Sequence, residues 1–341
     1  MTSARREPHG LPRTTAMTRR CVLLLLAWCG GAVCVGGGEA PPHDVIPCPK
    51  EVRFDQGAFA LDGYSIVLVS SEARRGTRRA ARAIQLGIRH RYGLDLPIVR
   101  IADLPKHGVA RPIWVVEPRL LRPPSKTVGV RGAEFTDEMF HGGYYLRVDA
   151  VEAVVHGAND AGSLYGAHTL LQLIRPPRRP TLFRRRRPPS IPCLWIRDWP
   201  SARVRGLGDD IELPPDPAAA ERVLKLAASY KLNALREAAL PPGADAARRI
   251  RELAARCQVA VVGQVPSPAP SPLAAPPAEW AQGPVATRYA LAARAEVAWG
   301  PPDPDLATFR RRVARHAAAA KPLAHAAGSS KRPRSQEQGE E

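Results

Sequence analysis

Apolar positions along this chain recur with two periods, and each change of period marks an element. Ile46–Phe54 opens with an apolar run bounded by prolines, and Tyr64–Val69 (YSIVLV) reads as a buried strand. Ser71–Tyr92 reads as a helix: Glu72 sits in its first turn, Ala80, Ile84 and Ile88 recur at i+4 spacing, and Gly93 ends it. Leu96–Ile101 and Ile113–Val116 are short apolar strands. Tyr144–Val148 and Val151–Val155 form a hairpin around Asp149–Ala150, with Tyr144, Leu146 and Val148 alternating onto one face. Asn159 or Asp160 caps a following helix whose stripe is Leu164, His168, Leu171 and Ile174. Strands, helix, strands, hairpin and helix in that order predict an α+β domain over 45–175, a sheet with helices on one face.

Pro176–Pro189 interrupts the pattern with prolines and the arginines Arg178, Arg179 and Arg184–Arg187, and we read 176–190 as a linker. Its charge admits two readings, a patch for polyanions or a self-repelling solvated connector. Beyond it the period changes again. Arg203–Ile211 reads as a strand entering a loop, and Pro217–Tyr230 as a helix carrying Val223, Leu226, Ala227 and Tyr230 on its apolar face. Lys231–Leu235 follows as a strand, Ala244–Cys257 as a helix and Gln258–Val265 as a strand. That βαβαβ order begins a parallel α/β unit. It stops at the Pro/Ala/Ser-rich Pro266–Pro277. Two helices, Tyr289–Trp299 and Asp305–Ala320, precede a polar tail at 321–341 that reads as disordered. The second region, 191–320, is thus an incomplete α/β unit.

The length of 341 residues accommodates two such domains. A formal net charge of +18 changes the picture only in part, because almost all of it is arginine spread over the chain. It suits either a polyanion-binding surface or solvated faces. Few aromatics interleave with the basic runs, so no base-stacking platform and no specific nucleic-acid partner is indicated. At the N-terminus, Arg19 and Arg20 precede the apolar Cys21–Cys29 and small residues follow to Ala40, the pattern of an export signal over 1–40 whose start could be Met17. The apolar run is too short to span a bilayer. Trp28 and Val33 are poor residues before a lipid-modified Cys29 or Cys34, so periplasmic or secreted delivery is preferred to a lipoprotein anchor. Cys48, Cys193 and Cys257 remain, an odd number at wide spacing, so no disulfide framework, metal site or cofactor is expected.

Two segments carry a family resemblance. Ile191–Asp210 (IPCLWIRDWPSARVRGLGDD), read with Gly157–Ile174 (GANDAGSLYGAHTLLQLI), resembles the junction between the N-terminal domain and the catalytic barrel of glycoside hydrolase family 20, the β-N-acetylhexosaminidases. The opening Ile46–Val52 (IPCPKEV), the Gly142–Val148 strand, Tyr230-Lys231-Leu232-Asn233 and Ala295-Glu296-Val297-Ala298-Trp299 resemble further parts of the same family in the same order. The resemblance implies a non-catalytic α+β domain followed by a truncated TIM-type barrel, and an N-acetylglucosamine-containing glycan as the partner. It matches Arg205 to an arginine holding sugar hydroxyls beside the cleaved bond, a role that a guanidinium fork suits at a strand's C-terminal end. Asp210 matches an aspartate of the same strand. Trp280, followed by Gln282, matches a tryptophan near the family's substrate pocket.

The departures from the family are as informative. Family 20 enzymes use the substrate's own acetamido oxygen as nucleophile, oriented by an Asp, with an adjacent Glu as acid. The Asp-Glu pair in its His-x-Gly-Gly context is missing; Asp137-Glu138 lies in the first domain. Arg236-Glu237-Ala238-Ala239 stands where the family has histidines, and Gly263–Pro268 where it has a Pro-Gly-His region. Arg203–Glu341 also falls short of the roughly 200 residues that the smallest closed barrels need. These features predict an exported hexosaminidase-like chain without catalytic residues and inactive by itself. The alternatives are a glycan- or polyanion-binding remnant, or a decayed coding product; a partner completing the barrel is not identifiable.

Overall fold

The computed structural model describes residues 44–104, 111–116, 135–177, 187–207, 211, 213–265, 273, 283–299 and 306–319. The chain separates into two units, Met1–Glu39 and Ala40–Glu341, and every described residue belongs to the second. The export signal, the linker core at 178–186, Asp210, Trp280 and the tail therefore lie outside the described residues.

A seven-stranded mixed sheet forms the first layer. Its strands are β1 (Glu51–Ala60), β2 (Ser65–Val69), β3 (Ile98–Arg100), β4 (Arg111–Val116), β5 (Tyr144–Val148), β6 (Ala153–Gly157) and β7 (Ser190–Asp198), in the spatial order β1-β7-β5-β6-β4-β2-β3. β1, β7, β5 and β6 run antiparallel to their neighbours, whereas β6, β4, β2 and β3 pair in parallel. α1 (Arg75–Tyr92) and α2 (Asp160–Leu173) cover one face, burying Ala80, Ile84, Ile88, Leu170 and Leu171 against Val67, Ile113, Leu146 and Val155. This is the α+β domain that the periodicity predicts.

Three local differences have physical causes. α1 starts at Arg75, four residues after the predicted Ser71, because Ser70 closes a turn: its Oγ accepts from the Glu72 amide and its carbonyl from the Ala73 amide. The β5–β6 connection is two residues longer than predicted because the Asp149 carboxylate accepts the amides of Val151 and Glu152, both at 2.8 Å. Ile191–Asp198, placed by the sequence in the second region, is instead part of β7, which enters the first sheet beyond the proline-rich segment, between β1 and β5.

α2 carries the cap that the sequence offers: Asn159 Oδ1 accepts the Gly162 amide at 2.9 Å, while its amide nitrogen donates to Phe140 O at 2.7 Å. Close approach to the sheet explains its glycines. A Cβ on Gly162 would collide with the Gly143 carbonyl, and one on Gly166 would lie 2.8 Å from Val155 Cγ1. Asn159→Ala is expected to lower stability by about 1–2 kcal/mol, read as a shifted urea midpoint with an unchanged slope. An unshifted midpoint would show that the cap is dispensable.

The second layer is the predicted βαβαβ unit: β8 (Gly206–Leu207), α3 (Pro217–Ser229), β9 (Ala234–Arg236), α4 (Ala244–Arg256) and β10 (Ala260–Val262), followed by α5 (Gly283–Trp299) and α6 (Leu306–Ala319). Its three strands are parallel in the order β10-β9-β8, so the region is an incomplete α/β sheet among the described residues. Asp216 caps α3 with both carboxylate oxygens, and Pro217 occupies the first turn where no amide partner is needed. The two layers do not have separate cores. Trp299 from α5 is fully buried in the first, and Ile46, ahead of β1, is fully buried in the second.

Candidate functional site

Asp198 ends β7 with no exposed surface and is the centre of a polar cluster between the layers. Its Oδ1 accepts Trp299 Nε1 at 2.7 Å and the Lys50 amide at 3.2 Å. Its Oδ2 accepts the Tyr144 hydroxyl at 2.7 Å and Lys231 Nζ at 3.0 Å. Tyr144, on β5, accepts in turn from Lys231 Nζ at 2.9 Å and bonds Thr169 of α2 at 2.7 Å. Burial and the neighbouring Asp198 carboxylate push the Tyr144 phenol well above its usual range, so it stays a donor.

Lys231 is likewise fully buried, and its ammonium lies 4.5 Å above the Trp299 ring. Burial lowers its pKa, and Asp198 opposes that by favouring the charged form. Its backbone is in the left-handed region (φ 64°), immediately after α3, where glycine is usual. The Lys231 and Leu232 amides return to the carbonyls of Ala228 and Ala227, closing the helix. A side chain there costs about 1–2 kcal/mol, and the conformation sets Nζ on the Asp198 carboxylate.

Arg205 stands one residue before β8, at the N-terminal end of that strand and not the C-terminal end assumed from sequence. It is 1% exposed. Nε donates to Lys231 O at 2.9 Å, Nη1 to Ala202 O at 2.7 Å and Arg203 O at 3.2 Å, and Nη2 to the Tyr165 hydroxyl at 2.8 Å. Its guanidinium also lies 5.0 Å from the Trp299 ring centre and 5.2 Å from that of Tyr165. The fork that would grip vicinal hydroxyls is occupied by backbone carbonyls and the Tyr165 hydroxyl. Asp210 and Trp280, the other two predicted contacts, are outside the described residues.

Glu296 of α5 extends the cluster: Oε2 accepts the Cys48 amide at 2.9 Å and Oε1 pairs with Arg312 of α6 at 2.6 Å. Burial raises its pKa and Arg312 works against that. Every segment singled out for its resemblance thus sends a residue to one buried joint. The charged groups of the cluster are buried and pair with one another, Lys231 with Asp198 across the two layers, which holds the layers in register.

The chain's Asp137-Glu138 pair lies elsewhere, on an exposed 3-10 turn (Asp137–His141) beside a hollow of about 510 Å³ also lined by Lys50, His141, Trp199 and Arg203. Lys50 covers the Trp199 ring at 4.7 Å, and Arg197 lies 5.3 Å from it. The sequence offered one signal for the true centre: charged residues inside otherwise apolar motifs, Asp198 before Trp199 and Lys231 between Tyr230 and Leu232. It could not show that they meet.

Residues 42–199 match the family model described as glycosyl hydrolase family 20, domain 2, a span that ends one residue beyond β7. No curated protein matches the sequence. Among solved structures, the chain is similar to a GH20 exo-β-N-acetylglucosaminidase from Vibrio harveyi in complex with N-acetylglucosamine, at 13% identity, over 65% of this chain and 36% of that one, with a TM-score of 0.45. The GH20 β-N-acetylhexosaminidase from Streptomyces coelicolor A3(2) is 18% identical over 65% of this chain and 46% of that one, with a TM-score of 0.45. CpGH84B is 18% identical over 64% and 36% of the two chains, with a TM-score of 0.44. The chain spans 36–46% of the length of these structures.

Proposed function

We propose, from the match of residues 42–199 to domain 2 of glycosyl hydrolase family 20, that the protein is an exported, non-hydrolytic relative of the β-N-acetylhexosaminidases. The observation that carries this reading is the fate of the residues the family would use. Arg205 is locked into the joint by four hydrogen bonds, and the chain's Asp-Glu pair sits on the first domain's exposed turn. An acid catalyst must reach the leaving oxygen within about 3 Å, and among the described residues no carboxyl group shares an open site with a sugar-holding arginine. We therefore assign no sugar contact to Arg205. Export rests on the basic-apolar-small order of residues 19–40; no helix among the described residues is long and apolar enough to cross a membrane.

The test is release of p-nitrophenol from its N-acetyl-β-glucosaminide by the full chain. Turnover indistinguishable from buffer is expected. Release that scales with protein and vanishes in an identically prepared Asp198→Ala variant, in which the joint is broken, would overturn the proposal.

A further inference from the structure

A cavity of about 1480 Å³ opens between the two layers, walled by the C-terminal turns of α1 and α2 and by α3, α5 and α6. Its floor is apolar, with Phe54, Tyr92, Leu171, Leu226 and Tyr230 among the lining side chains. Its wall is cationic: Arg91, Arg175, Arg222, Lys225, Arg288 and Arg315. One acid, Asp44, is among the described lining residues, and it is already bound to Arg315 at 2.7 Å. Lys225 has its carboxylate partner, Glu221, at 3.0 Å outside the lining.

We infer that this cavity binds an amphiphilic organic anion, with an aliphatic or aromatic body on the floor and a carboxylate, sulfate or phosphate head among the arginines of the wall. The physical case has three parts. Like charges gathered around a low-dielectric concavity raise its potential and draw anions in. An inorganic anion would satisfy the wall but leave the floor wet, whereas a ligand with an apolar body gains about 25 cal/mol for each Å² removed from water. The volume exceeds the roughly 300–1,000 Å³ of ordinary small-molecule pockets, which suits a long-chain ligand. His168, on the cavity wall, is held neutral by burial with a pKa of about 4; it offers a hydrogen bond without competing for the head-group charge. The inference is independent of whether the chain hydrolyses anything.

The experiment uses the full chain with 8-anilinonaphthalene-1-sulfonate as fluorescent probe, displaced by dodecanoate, by dodecanol and by inorganic sulfate. Dodecanoate is expected to displace the probe at a concentration about tenfold or more below that needed of dodecanol, a gap corresponding to about 1.4 kcal/mol; sulfate is expected not to displace it. Arg222→Glu, on the exposed side of α3, should weaken dodecanoate by about tenfold while leaving dodecanol unchanged. Leu226→Lys, placing a charge on the floor, should weaken both. Equal displacement by acid and alcohol would overturn the proposal, as would an Arg222→Glu variant that melts normally and binds dodecanoate unchanged. Displacement by sulfate alone, or by a heparin fragment with no effect of dodecanoate, would overturn it in favour of a plain polyanion surface.

Discussion

Truncating Asp198 to alanine is expected to cost about 3–5 kcal/mol of folding stability, enough to unfold much of the population of an ordinary domain at 37 °C. The carboxylate accepts four hydrogen bonds, from β5, the segment just before β1, α5 and the turn after α3. Its removal leaves Lys231 Nζ buried and charged with, among the described residues, only the Tyr144 hydroxyl as a hydrogen-bond partner. Lys231→Met alone should cost nearly as much, because it leaves the Asp198 charge uncompensated. Asp198→Asn combined with Lys231→Met removes both charges at similar volume, and the double variant should lose at least about 2 kcal/mol less than the sum of Asp198→Asn and Lys231→Met measured singly. Urea unfolding followed by tryptophan fluorescence reads this directly, since the Trp299 indole is itself bonded to Asp198. Strict additivity would show that the pair contributes as two independent side chains, and the joint would lose its centre.

The second large effect is acid unfolding driven by histidines. His156 on β6 is 3% exposed, both its ring nitrogens lack hydrogen-bond partners among the described residues, and Phe135 packs edge-on at 4.9 Å. Desolvation lowers its pKa from 6.5 to about 4. The unfolded chain therefore binds a proton near pH 6.5 that the folded chain refuses until about pH 4. Stability is complete above pH 6.5, falls as pH drops through that window, and levels off below it. At about 1.4 kcal/mol per pH unit the His156 contribution amounts to about 3 kcal/mol. His168 and His316, also lowered to about 4 by burial, act in the same sense. Burial raises Glu152 and Glu296, which act in the opposite sense above pH 4.5. His156→Phe isolates one proton: the variant should be more stable than the parent throughout, with a shallower decline between pH 6.5 and 4. Parallel declines in the two proteins would refute this account of His156.

Much of the secondary structure was legible because it rests on short-range physics. Apolar spacing in Ala80, Ile84 and Ile88, the Asn159 cap and the helix-breaking Gly93 each act within a turn or two of their own position. The βαβαβ order of the second layer was legible for the same reason. β7 was not. Its apolar run adjoins a proline-rich stretch and reads as part of the second region, and only pairing with β1 and β5, each at least 46 residues away in register, makes it a strand of the first sheet. At Arg205 the motif alone suggests a sugar contact, and only the fold shows that its side chain is surrounded by backbone carbonyls and two aromatic rings.

The sequence by itself determined the kind of elements this chain forms, their order, and a likeness to family 20, because periodicity, caps and motifs are written in neighbouring residues. The tertiary structure alone decided what the motifs are for. Tyr144, Asp198, Lys231, Glu296 and Trp299 are scattered from the first sheet to α5, and no local rule says that they touch. A buried carboxylate is tolerated only where several donors converge on it, and convergence of donors from β5, α5 and the turn after α3 exists only once the two layers have closed on each other.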